Sequence, residues 1–122
     1  MTIDYDGRVF RPVVNAPNGE VTASTEFHYR QAGDLLTATY TGGGIRLGQM
    51  VGLVSPDGAL HFHYQHVTDA GELRCGVCRG VPEPLADGRL RLHETWQWLS
   101  GDRSEGQSIV EEISAPRTAQ SR

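Results

Sequence analysis

Six clusters of turn-forming residues cut the chain at nearly even intervals, and that rhythm is what most limits how it folds. They are Ala32-Gly33-Asp34, Gly42-Gly43-Gly44, Pro56-Asp57-Gly58, Asp69-Ala70-Gly71, Ala86-Asp87-Gly88 and a longer stretch from Ser100 to Gly106. Glycine supplies the positive φ such turns need, while Asp and Pro prepare the residue before it. Between the turns, segments rich in β-branched and aromatic residues alternate with period two. The pattern predicts eight strands, near 8–14, 25–31, 35–41, 45–55, 59–68, 72–80, 89–99 and 107–114. No segment carries a clean 3.6-residue apolar stripe, so no long helix is expected.

Short connections favour antiparallel neighbours and hence a meander. The expected fold is all-β: a single eight-stranded antiparallel up-and-down barrel over residues 1–114, followed by a flexible polar tail at 115–122 that contains Pro116. Closure removes exposed edges. A barrel of this strand number is just wide enough to be filled by side chains or to hold one small ligand. Residues 15–24, with Pro17, Asn18 and Gly19, read as a loop or crossing between the first two strands.

The charges narrow the function. All 11 basic residues are arginine, so a lysine Schiff base and a P-loop lysine are both excluded. A formal charge of −4 without a basic run speaks against binding nucleic acid. No apolar run approaches the ~18 residues of a membrane helix. The first six residues lack the basic start and apolar stretch of a secretory signal, so a cytoplasmic domain is expected. What remains is a small organic ligand or substrate, or a protein interface. Whether the chain pairs as a homodimer stays open.

Segment 89–99 is the most informative. One face carries Leu90, Leu92, Glu94, Trp96 and Trp98, the other Arg89, Arg91, His93, Thr95 and Gln97. The first face is the inner one, and it holds a carboxylate. Burial without a partner disfavours the charged form of an acid, so Glu94 is neutral, paired, or bonded to polar neighbours. It sits near a mouth beside an interior Arg or Tyr, or it contacts a ligand directly. The same alternation sends Phe27 and Tyr29, Leu36 and Tyr40, and Phe62, Tyr64 and His66 inward. The expected ligand-binding set is Tyr29, Tyr40, Tyr64, His66, Glu94, Trp96, Trp98 and Glu111. Aromatic walls with a few polar groups suit a small-ligand pocket, and they equally suit a barrel that fills itself.

Other motifs carry less. His61 and His63 point together and outward, near His93, as a solvated face more than a metal site. Cys75-Gly-Val-Cys78 has redox-motif letters, but in a strand its two thiols point to opposite faces. Two reduced cysteines are expected, one in and one out. Ser108 lacks a nucleophile elbow around it and reads as a strand-start residue. The Gly42–Gly44 triplet precedes no helix, so it makes a tight turn and not a phosphate cradle. No cofactor and no metal are expected.

Several of these residues together resemble a family of small bacterial proteins often described as N-acetylglutamate synthase. The resemblance rests on Phe27-His-Tyr-Arg-Gln31, Tyr40 with Gly42-Gly43, Gly48, Gly52, Gly76 with Cys78, Glu94-Thr-Trp96-Gln-Trp98, and Ser108 with Glu111-Glu112. It spans nearly the whole chain and implies one compact β domain. Acetyl transfer is not carried over with it. The nearest string to an acetyl-coenzyme A turn, Gln49-Met-Val-Gly52-Leu-Val54, ends in valine inside a strand with no helix to follow. The architecture is similar to streptavidin and the lipocalins, the calycin-like barrels. Three functions stay in view. One is small-molecule binding inside the barrel. The second is a cofactor-independent cyclase, isomerase or dehydratase with Glu94 as general acid or base and Tyr64 or His66 as complementary donor. The third is an interaction module with a filled core.

Overall fold

Alternation between buried and exposed side chains runs through all eight strands, and it winds the sheet into a cylinder. The structure, a computed structural model, describes residues 3–113. The strands are β1 (Val9–Asn15), β2 (Glu26–Ala32), β3 (Leu35–Gly42), β4 (Ile45–Val54), β5 (Leu60–Thr68), β6 (Leu73–Pro84), β7 (Leu90–Trp98) and β8 (Glu105–Glu112). Each pairs antiparallel with its chain neighbours, and β8 pairs with β1 to close the barrel. The meander expected from turn spacing is therefore the observed fold. Strand ends shift by a residue or two, except that β6 runs four residues further than expected, to Pro84. Its added part keeps pairing with β7 through Pro82↔Leu92 and Pro84↔Leu90. The tail expected at 115–122 lies outside the described residues.

Three inward aromatics lie directly across from a glycine on the next strand: Tyr40 from Gly48, Tyr64 from Gly76, and Trp96 from Gly106. A Cβ on any of these glycines would overlap the opposing aromatic side chain. The missing side chains let large rings lie against the wall of a narrow barrel without filling its axis.

The two ends differ. At one end the segment before β1 folds back across the opening. Tyr5 is fully buried, donates its hydroxyl to the Gly58 carbonyl at 2.6 Å, and packs on Phe10 and Tyr29 with ring centroids 6.5 and 6.0 Å away. Arg8 and Glu112 form an ion pair beside it at 2.7 Å. At the other end the long β1–β2 connection, residues 16–25, crosses the opening as a strap.

One expected inward residue is on the wrong side. Glu111 lies on the outer face of β8, 2.6 Å from Arg91 on β7. Cross-strand pairing sets this: Glu94 faces Ser108 and Leu92 faces Val110, so β8 sends Ser108, Val110 and Glu112 inward. The other face holds two isoleucines against one valine, so a count of apolar residues favours it. The inner face is the more polar one because it lines a cavity at one end and an ion pair at the other.

Candidate functional site

The strap end of the barrel encloses a cavity, and β7 brings its chemistry. The free volume of the cavity is about 50 Å³. Tyr40, Tyr64, His66, Glu94, Trp96 and Trp98 all line it. Six of the eight expected site residues are thus brought together. Tyr29 points inward but belongs to the packed end, 4.7 Å from Phe10 between ring centroids. Glu111, as above, is outside.

Glu94 sits on the floor. Its Oε1 accepts a hydrogen bond from Ser108 Oγ at 3.0 Å, and Ser108 Oγ in turn accepts from the indole Nε1 of Trp96 at 3.2 Å. An indole nitrogen only donates, so the serine hydrogen is left for the carboxyl group. Oε1 accepts that hydrogen, and Oε2 has no partner among the described residues. No ion pair reaches Glu94 among the described residues. Burial in apolar surroundings raises its pKa from 4.5 to about 7, and the Ser108 hydrogen bond offsets only part of that. The residue is only partly covered by protein because it fronts the cavity. The Cys78 thiol nearby is held well above its ordinary range, first by burial and then by the Glu94 charge.

At the mouth a polar chain fastens the strap. Tyr40 Oη lies 2.8 Å from His66 Nδ1, and His66 Nε2 lies 2.7 Å from Glu20 Oε1. Arg74 Nε donates to the second oxygen of Glu20 at 3.0 Å. A carboxylate only accepts, so Nε2 of His66 carries a hydrogen, and Nδ1 meets a hydroxyl able to donate or accept. Burial alone would raise the pKa of Glu20, but hydrogen bonds from His66 and Arg74 hold it below its ordinary value. Trp98 donates its indole hydrogen to the Asn18 carbonyl of the strap at 3.2 Å, and packs edge-on against Tyr64, His66 and Trp96. The aromatic wall and the strap are therefore one unit.

The chain also matches a known family over nearly all of its described length. The family model described as Avidin-like protein matches residues 3–113. The chain belongs to the avidin-like family. Its fold, an eight-stranded barrel with a cavity at one end, is a small-molecule-binding architecture. Comparison with curated proteins and with solved structures returned no match.

Sequence reasoning missed four contributors to this avidin-like site. Ser108 is not a strand-start residue but the fourth residue of β8, buried, and it fixes Glu94. Its position across from Glu94 follows from strand register, which turn spacing alone leaves loose. Asn15 ends β1 and Glu20 lies in the strap, and nothing in the local sequence signals that either approaches the cavity. Asn15 Nδ2 donates to the Val21 carbonyl at 2.8 Å, while its Oδ1 is buried without a partner. One of the two cysteines was expected inside, and it is Cys78; its place beside Glu94 depends on the β6–β7 register, in which it faces Trp96. The second cysteine, Cys75, is free and half-buried. His61 and His63 stand exposed on the outer wall, and His93 bonds Glu83 there at 2.8 Å.

Proposed function

We propose that this chain binds one small, flat organic molecule in the strap-end cavity, between Trp96, Trp98, Tyr40 and Tyr64, with Glu94 orienting it. The observation that carries the reading is the free oxygen of Glu94. A carboxyl group whose Oε2 has no partner among the described residues fronts an otherwise apolar cavity, and such a group costs stability unless something fills its hydrogen bond. Apolar walls with a few convergent polar atoms are the usual make-up of a ligand site. The hydroxyl of Tyr64 offers a second contact, and the two reduced cysteines fit a cytoplasmic setting.

An acid–base enzyme is the second reading, and one observation favours it. A carboxyl group titrating at about 7 exchanges a proton readily at neutral pH, and its unpartnered oxygen is open to the cavity. Tyr64 or His66 would then be the complementary donor in a cyclase, isomerase or dehydratase reaction. A self-filled interaction module is the third reading, and it draws on the small free volume of the cavity.

Both Trp residues report on the cavity, so a metabolite panel that includes biotin is titrated against tryptophan fluorescence and unfolding temperature. The expected result is saturable quenching with a raised unfolding temperature for at least one flat compound. A panel that changes neither signal overturns the binding reading. Turnover of a bound compound that Glu94→Gln abolishes while binding persists would replace it by the enzymatic one.

A further inference from the structure

The other carboxylates that the described residues bury or half-bury have cationic partners within reach, and so do several exposed ones. Glu112 has Arg8, Glu20 has His66 and Arg74, Glu111 has Arg91, Glu83 has Arg91 and His93, and Asp87 has Arg89. Among the described residues Glu94 has only a neutral serine. Nor do the described residues of the cavity wall include an arginine to spare: Arg74, at the rim, is taken up by Glu20 and Glu72. The wall instead presents ring faces and edges from Phe27, Tyr40, Phe62, Tyr64, Trp96 and Trp98. Aromatic faces attract cations through their quadrupoles, most strongly where water is excluded. A carboxylate without a counter-ion at the floor of an aromatic cage is a cation site that lacks its cation.

We propose that the ligand of this cavity is a flat monocation with an amidine-type edge, such as a one-ring amidine or amino-heteroaromatic base, and that it brings the positive charge Glu94 lacks. The inference rests on the reading of the cavity as a ligand site. The edge follows from the atoms available. Glu94 Oε2 is free, and Oε1 keeps one acceptor position after the Ser108 bond. Two parallel N–H donors on one ligand edge fill both, in the paired geometry that carboxylates form with planar cations. A neutral base with the same edge fits the protonated acid equally, its ring nitrogen accepting from Oε2–H. A neutral amide edge fits only the protonated acid, because its carbonyl repels the ionised one. An anionic ligand fits neither state.

The test uses benzamidinium and benzamide, which share a shape and differ in charge, with toluene as an uncharged probe of the cavity alone. Each is titrated against the fluorescence of Trp96 and Trp98 and against unfolding temperature, in the intact chain, in Glu94→Gln and in the charge-retaining Glu94→Asp. The expected result is that benzamidinium binds the intact chain at least tenfold more tightly than benzamide. That preference disappears in Glu94→Gln and survives in part in Glu94→Asp. Equal binding of the two probes, or a preference that persists in Glu94→Gln, overturns the charge inference and leaves the cavity reading standing. Failure of all three probes to bind overturns both. Should Glu94→Gln fail to fold, the ratio in the intact chain decides alone.

Discussion

Glu94 and Glu112 both point into the barrel from neighbouring strands, one near the strap end and one at the plugged end, and they meet different company. Glu112 receives the Arg8 guanidinium at 2.7 Å and the Leu90 backbone N–H at 3.1 Å. Glu94 receives a neutral hydroxyl and then empty space. At the plugged end the acid, its arginine and Tyr5 close the cylinder, with the Arg8 guanidinium and the Leu90 N–H both on Glu112 Oε1. At the strap end the same type of side chain is held in place from one side and left open on the other. A buried acid provided with a cation belongs to the fold. One denied a cation is available to something else.

The comparison breaks most visibly by making the same isosteric change at both positions. Glu112→Gln strips the charge that matches Arg8, which is itself largely covered. Loss of one partner of a buried pair costs about 3–5 kcal/mol. Arg8 retains some contact with water, so about 3 kcal/mol is expected, read as a lower urea midpoint with an unchanged slope. A loss under about 1 kcal/mol would mean that the plug does not depend on this pair.

Glu94→Gln should act in the opposite direction. The folded chain holds the Glu94 proton up to about pH 7, and the unfolded chain releases it near 4.5. Below 4.5 both states are protonated and the group is neutral to stability. Between 4.5 and 7 the unfolded state gains by ionising while the folded state does not, so stability falls as pH rises, by about 3 kcal/mol in all. The glutamine variant lacks this loss. It should match the natural chain at pH 4 and exceed it by about 3 kcal/mol at pH 8, in urea titrations at each pH. A variant less stable at both pH values would show that the carboxyl group is structural, like Glu112.

The contrast between these two acids was half legible in the sequence. Glu94 lies in the alternation of Leu90, Leu92, Trp96 and Trp98, where one polar letter on an apolar face stands out. Glu112 and Ser108 sit on a strand whose faces are nearly balanced in apolar content, so the period survives but its phase does not. Pairing register decides the phase, and register is set by partners distant in the chain. The barrel itself was legible because turn chemistry and alternation are local. The Tyr5 plug and the Glu20 strap were not, since both arise from irregular segments laid over the barrel ends, where no periodicity marks which residue turns inward.

The strap provides the smallest effect and the one that separates the site from the fold. Glu20 joins His66 on β5 to Arg74 on β6, and its carboxyl group titrates below 4.5 because those partners favour its charged form. For a depressed carboxyl pKa the stabilisation is complete above the unfolded value and disappears as pH falls through the folded one. Glu20→Gln should therefore cost about 1 kcal/mol at pH 7, in line with a half-exposed pair, and progressively less as pH falls below 4.5. The change should be local. Amide exchange should quicken around Asn18 and Val21, and Trp98 fluorescence should shift because its indole bonds the Asn18 carbonyl. Exchange at the plugged end, around Tyr5 and Arg8, should stay as it was. If exchange instead quickened equally at both ends, the strap would be part of the barrel's global stability and not a separable cover over the cavity.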